Sequence, residues 1–293
     1  MMKKMMYLSK RHLLMYFRNR SEVFLSFLAV LIVLALFLFF LGDMTINNIK
    51  AIIGREVDGI DAMVNAWLFA GLVAIATMTV SIGSLSRMVI DKQRKVFHDF
   101  LVAPIQRHEL FLSYIISTFV VVMMITIVML IISQVALIMS GGAWFGWLRW
   151  LRIIGLVGLT ALSSTMMMLF VVSFINTESV FAFLGTIVGT LIGFVTGAYL
   201  PLGIMPVAVQ IFSNALPVSH AAALLRQAFM EPSFEVVFAN APESVINNYR
   251  WFQGVDLYLD DFKLTQPMML AYLIGTTLLF MMLNVWRFKR MKT

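Results

Sequence analysis

Four histidines, His12, His98, His108 and His220, are the side chains of this 293-residue sequence best suited to proton transfer or metal binding. They form no H-E-x-x-H spacing and no evident pair with a nucleophile. A histidine in a loop or at the edge of an apolar run is ordinarily surface, so none is assigned a catalytic or metal-binding role. There is no cysteine, which removes thiolate metal sites, cysteine nucleophiles and disulfides. No G-x-x-x-x-G-K-[ST] loop occurs, so the chain has no backbone cradle for ATP and any nucleotide hydrolysis falls to a partner.

The patterns that remain concern contact and movement. Residues 91–104 read D-K-Q-R-K-V-F-H-D-F-L-V-A-P, and Val96, Phe97, Phe100 and Leu101 fall on one stripe at helical spacing before Pro104 stops the helix. Exposed phenylalanines are unfavourable in water. The stripe therefore either inserts into a partner's groove or lies on the membrane or on a neighbouring helix, and the pattern leaves both open. Residues 201–230 are apolar but broken by Pro201, Pro206 and Pro217, beside the polar Asn214, Ser219 and His220. Proline removes an amide donor, so this stretch predicts two short helices dipping back from one face, with Asn214 and Ser219 capping freed backbone groups. Simple loop capping and an outer gate are both compatible with that arrangement. Gly185, Gly189, Gly193 and Gly197 recur every fourth residue, forming a stripe where another helix can approach closely, within one subunit or between two.

These segments must be held by membrane-spanning helices. Hydrophobic residues make up 61% of the chain and charged ones 13%, too greasy a balance for a soluble domain. Six apolar runs, 23–41, 66–85, 110–139, 153–175, 180–200 and 267–286, approach or exceed the ~20 residues that a helix needs to cross ~30 Å of hydrocarbon. Their centres carry no ionisable residue, which argues against an ion-coupled carrier. The first run is too long for a signal-peptide core and is read as a retained span. Lysine and arginine crowd the N-terminal segment, the loop after the second run and the C-terminal tail, whereas ten of the 15 acids lie in the opposite loops. The predicted topology therefore has both termini in the cytoplasm. The net charge of +7 is explained by that asymmetry rather than by nucleic-acid binding. Residues 1–22 alternate cations with Leu13, Leu14, Tyr16 and Phe17, the pattern of an amphipathic helix lying along the inner leaflet. The predicted fold is an all-α membrane protein: six transmembrane helices, an N-terminal interfacial helix, a cytoplasmic helix over 91–104 and an outer re-entrant pair over 201–230.

Two segments carry a resemblance to a known family. Asp91, Arg94, Phe97, Phe100, Leu101, Pro104 and Arg107 are similar to the cytoplasmic loop of ABC-2 exporter permeases, such as those of daunorubicin-type drug exporters and polysaccharide or teichoic acid exporters. Lys95 and Val96 depart from the glycine-threonine found there in many members. Pro201, Pro206, Gln210, Asn214, Pro217, Ser219, His220 and Arg226 resemble the family's outer signature. The resemblance implies a bacterial cytoplasmic-membrane permease, paired with a second permease copy and served by two ATPase subunits that bind ATP and Mg. It implies that 91–104 is the coupling helix, that 201–230 forms an outer gate, and that the glycine stripe faces the pathway or the second copy. The implied cargo is hydrophobic or amphipathic, a drug, toxin or lipid-like molecule. Lipid-linked polysaccharide export and a non-transporting scaffold or immunity role are the alternatives, and a membrane-embedded enzyme would need a polar cluster at depth.

Overall fold

A long run rich in small and aliphatic residues forms the axis of the molecule. In the computed structural model, which describes residues 2–37, 39, 42–53, 58–96, 106–239, 241–259 and 262–290, this run is a 34-residue helix, α4 (Ile60–Gln93). It is preceded by α1 (Met2–Arg18), α2 (Arg20–Leu36) and α3 (Gly42–Ile53). After it come α5 (Arg107–Met139), α6 (Trp147–Val172), α7 (Glu178–Val195), a short 3₁₀ turn (Leu202–Ile204), α8 (Val207–Asn214), α9 (Pro217–Val237) and α10 (Glu243–Phe252). A two-stranded hairpin, β1 (Tyr258–Leu259) and β2 (Phe262–Lys263), leads into α11 (Gln266–Arg290). Tyr258 pairs with Lys263 and Leu259 with Phe262.

Helix α4 is buried on nearly all sides because α2, α5, α6, α7 and α9 pack around it. Small residues set the spacing. A methyl group at Gly83 would overlap the Ser26 hydroxyl of α2, so these two helices cross at close range. Buried hydroxyls are satisfied across helices, Thr77 with Ser164 at 3.0 Å and Ser84 to Thr118 at 3.2 Å, and Asn284 of α11 donates to the Met166 carbonyl of α6 at 2.8 Å.

Five helices among the described residues, α4, α5, α6, α7 and α11, are long and apolar enough to cross a membrane. They match the second to sixth predicted runs, so the chain is an all-α, multi-pass membrane protein. The boundaries shift, for identifiable reasons. The second span extends to Gln93 because helical hydrogen bonding continues beyond the apolar run. The fifth ends at Val195 rather than 200 because Gly197 turns left-handed at φ 67° and redirects the chain. The first run corresponds to α2, which starts at Arg20 and is regular for 17 residues; Phe37 and Phe39 are π-helical, and residues 38, 40 and 41 lie outside the described set. The pair α8 and α9 is bent by 87° at its break. Pro206 precedes α8 and Pro217 opens α9, where a missing amide costs nothing. Helix α9 continues beyond the predicted end at 230 to Val237, carrying Pro232 within it.

Candidate functional site

The predicted functional residues gather at opposite ends of the bundle. At the basic end, the last turn of α4 presents three consecutive side chains to different neighbours. Asp91, 4% exposed, accepts a bidentate pair of hydrogen bonds from Arg11 of α1, at 3.0 and 3.3 Å, and a third from the Tyr114 hydroxyl of α5 at 2.9 Å. Burial alone would lower the Arg11 guanidinium, but Asp91 outweighs it and holds the group above its ordinary value. His12 stacks on the Tyr114 ring with centroids 4.2 Å apart, and Ser9 donates to the Ser113 carbonyl at 3.4 Å. Desolvation, then the adjacent Arg11 charge, push the His12 imidazole down to about 4. The Lys92 ammonium donates to the carbonyls of Ser173 and Ile175 at 2.8 and 3.2 Å, and the Gln93 side chain accepts from the Glu178 amide at 2.6 Å.

This geometry corrects part of the sequence expectation. Asp91 does not stand on a separate cytoplasmic helix: α4 runs through it, and the break comes at Arg94 and at Lys95, whose φ is 58°. Facing α1 and α5, Asp91 is not available to a partner surface. Arg94 and Lys95 are exposed, and Val96 is half-buried and again helical. Phe97, Phe100, Leu101 and Pro104 lie outside the described residues.

At the other end, the bend between α8 and α9 is tied to three further elements. Asn214 donates to the Tyr258 carbonyl of β1 at 2.7 Å, and Ser219 donates to the Val195 carbonyl at the end of α7 at 3.0 Å. Each side chain satisfies a backbone carbonyl of another element, and neither caps α9. The His220 ring lies 2.8 Å from the Asn214 carbonyl through Nε2 and stacks on Tyr272 of α11 at 4.1 Å, while the Tyr272 hydroxyl donates to Ala215 at 2.8 Å. Pro201 caps the 3₁₀ turn, and Gln210 donates to the Met205 carbonyl. His12 and His220 are thus buried packing groups, not the surface histidines expected; His108 is exposed and His98 lies outside the described residues.

Arg226, 1% exposed, sits behind this bend. Its guanidinium lies 4.7 Å from the Trp67 ring centroid and donates to the Gly254 carbonyl at 3.2 Å, with Gly71 and Gly197 leaving room beside it. Beyond it, Asp256 accepts from Arg250, at 2.8 and 2.9 Å, from Gln227 at 2.8 Å and from Lys263 at 2.6 Å. Burial alone would raise the Asp256 carboxyl, but Arg250 and Lys263 hold it below its ordinary value.

The glycine stripe divides in two. A methyl at Gly193 would run into the Tyr199 ring, and one at Gly197 would meet Leu202 at 2.9 Å, so both serve the turn that ends α7. Gly185 and Gly189 have nothing nearby, and Val180, Phe183, Ile187 and Leu191 around them are exposed. Thr186 and Thr190 are exposed and bond back to their own helix, whereas Thr196 is buried.

The family model for ABC-2 type transporters matches residues 3–230, from the start of α1 into α9. The chain belongs to the ABC-2 type transporter family. The predicted residues at both ends of this ABC-2 protein lie within the matched region, whereas Gly254, Asp256, Tyr258 and Tyr272, which the outer end also uses, follow it. No curated protein matches the chain. Membership makes it a transport subunit of a class whose ATPase activity resides in a partner. Among the described residues there is no cluster of three potential metal ligands. Sequence reasoning missed Arg11, Tyr114, Lys92 and Gln93; the one available signal was an acid, Asp91, set among Arg87, Lys92, Arg94 and Lys95.

Proposed function

We propose that this ABC-2 protein is the permease of an ATP-driven exporter, working as a pair with a second copy of itself and with two separate ATPase subunits that bind ATP and Mg. Both termini face the cytoplasm, as the lysine and arginine distribution requires, in a bacterial cytoplasmic membrane. The observation that carries the reading is α7: a span of the transport subunit with most of its apolar surface uncovered. Gly185 and Gly189 leave a flat strip on it, flanked by Phe183, Ile187 and Leu191. A second copy and an apolar cargo, a drug, toxin or lipid-like molecule, are natural occupants of such a face. Aromatic stacking for a lipid-linked polysaccharide is poorly served there, since Phe181 packs on the core and only Phe183 and the edge-on Phe194 are exposed among the three.

In this reading ATP-driven closure of the ATPases pushes on Val96, Phe97, Phe100 and Leu101. The spans shift and open a route past Pro201, Pro206, Asn214, Pro217, Ser219 and His220, the re-entrant outer gate. Residues 2–18 lie along the inner leaflet. Affinity purification of the tagged chain from its native membranes, compared with a Phe97→Ala plus Phe100→Ala variant, tests the assignment. Recovery of a P-loop ATPase that the double variant loses supports it. Recovery of no ATPase with either chain sinks it and shifts weight to a non-transporting scaffold.

A further inference from the structure

The foot of α4 is connected in an unusual way. Successive residues on a helix point about 100° apart, so Asp91, Lys92 and Gln93 face three directions, and each meets a different element. Asp91 holds α1 through Arg11 and α5 through Tyr114. Lys92 meets the carbonyl end of α6, where Ser173 is the C-cap, and an ammonium there complements the helix dipole. Gln93 accepts from the first amide of α7, one of the donors that a helix start leaves unsatisfied. Thr177, the N-cap of α7, makes no side-chain cap of its own. The turn from α6 to α7 therefore has groups at both helix ends satisfied by α4. Arg287 of α11 adds a contact 4.5 Å over the Phe174 ring in the same turn.

We infer that Asp91, Lys92 and Gln93 are positioning residues that divide one displacement at the end of α4 among α1, α5 and the α6–α7 turn. The inference rests on the exporter reading above. It adds that a displacement of the α4 terminus acts on the α6–α7 turn directly, through Lys92 at the end of α6 and Gln93 at the start of α7, rather than only by dragging α4. The hydrogen bonds are directional, so a shift of the α4 terminus is passed to the turn through fixed polar contacts as well as through the apolar packing of α4 on α6 and α7.

The absence of cysteine makes the test clean, because a single Ser179→Cys substitution on exposed α7 takes a fluorophore at one place. The labelled chain, purified in nanodiscs with the ATPase that accompanies it, is compared without nucleotide and with ATP plus vanadate. In the otherwise unsubstituted chain the emission should change. Lys92→Met combined with Gln93→Leu removes both tethers at nearly constant volume, and the change should fall roughly fivefold or more. ATPase recovery should stay as it was, and the unfolding temperature should fall only by what the lost hydrogen bonds contribute. Lys92→Arg, which still donates to Ser173 and Ile175, should retain the response. An undiminished response in the double variant overturns the inference, as does no response in the unsubstituted complex. So does a loss that tracks a lowered unfolding temperature in Lys92→Met and Lys92→Arg alike, the signature of mere structural support. If no ATPase accompanies the unsubstituted chain, the exporter reading fails first and this inference falls with it.

Discussion

Acidification from pH 7 to pH 5 should loosen α1 from the bundle through His12. The imidazole is 3% exposed, and neither ring nitrogen has a hydrogen-bond partner among the described residues, so the docked helix holds it neutral. Its pKa is about 4 when docked and 6.5 when free in water. Above the free value neither form binds a proton and the docking energy is flat. Between the two values only the undocked form does, so docking weakens as pH falls, by about 1.4 kcal/mol for each unit. At pH 5, about 1.5 units below the free value, the loss is about 2 kcal/mol, roughly a 30-fold increase in the undocked fraction. Amide exchange over residues 2–18, normalised for the intrinsic effect of pH, reads this as lost protection confined to α1. A His12→Phe variant keeps a ring against Tyr114 and removes the titration, so its protection should be level over the same range. Protection that does not change between pH 7 and pH 5, or that changes equally in His12→Phe, would refute the reasoning.

Asp256 should behave in the opposite sense. Its pKa lies below the ordinary value, so its contribution is full above about pH 4 and is lost only as pH falls through the depressed value; protease resistance around residues 238–265 should persist at pH 5. Asp256→Ala should weaken that region by about 2 kcal/mol, because the carboxylate is buried while Arg250 and Lys263 are partly exposed; an unchanged proteolysis rate would count against the ion-pair lock. Gly193→Ala should lower the unfolding temperature because Tyr199 must move, whereas Gly185→Ala should leave it level or raise it, by up to about 1 kcal/mol of helix propensity. Asn214→Ala removes the donor to Tyr258 and should cost about 1 kcal/mol, read as faster exchange in the hairpin with α4 unaffected.

The spans were legible because a bilayer imposes a length and a composition that six runs satisfied, and the three outer prolines announced a broken pair, which the structure bends by 87°. The foot of α4 was not legible. Hydropathy stops at the last apolar residue, but backbone hydrogen bonds do not, and the polar Asp91–Gln93 turn stayed helical until Lys95 adopted a left-handed conformation. The charged partner of Asp91, Arg11, lies 80 residues away on α1, a separation that no local pattern encodes. Periodicity likewise treated four glycines as equals, although the end of α7 at Val195 left Gly193 and Gly197 inside a turn and Gly185 and Gly189 on an open face. His220 was legible as part of the outer motif but not as a packing group, because its stacking partner Tyr272 belongs to the last helix.

Helix α4 is longer than the layer it crosses. Its 34 residues span roughly 51 Å against ~30 Å of hydrocarbon, so about 20 Å of rigid rod projects beyond the lipid in total. Such a rod is a lever whose fulcrum is wherever its neighbours grip hardest. A tilt of about 5° about its midpoint carries each end roughly 2 Å, in opposite directions, by the helix's own rise. The end bearing Asp91 and the end that opens at Ile60 are then two arms of one beam. Force applied at one side of the membrane reaches the other as displacement, without any change in the helix's internal hydrogen bonds.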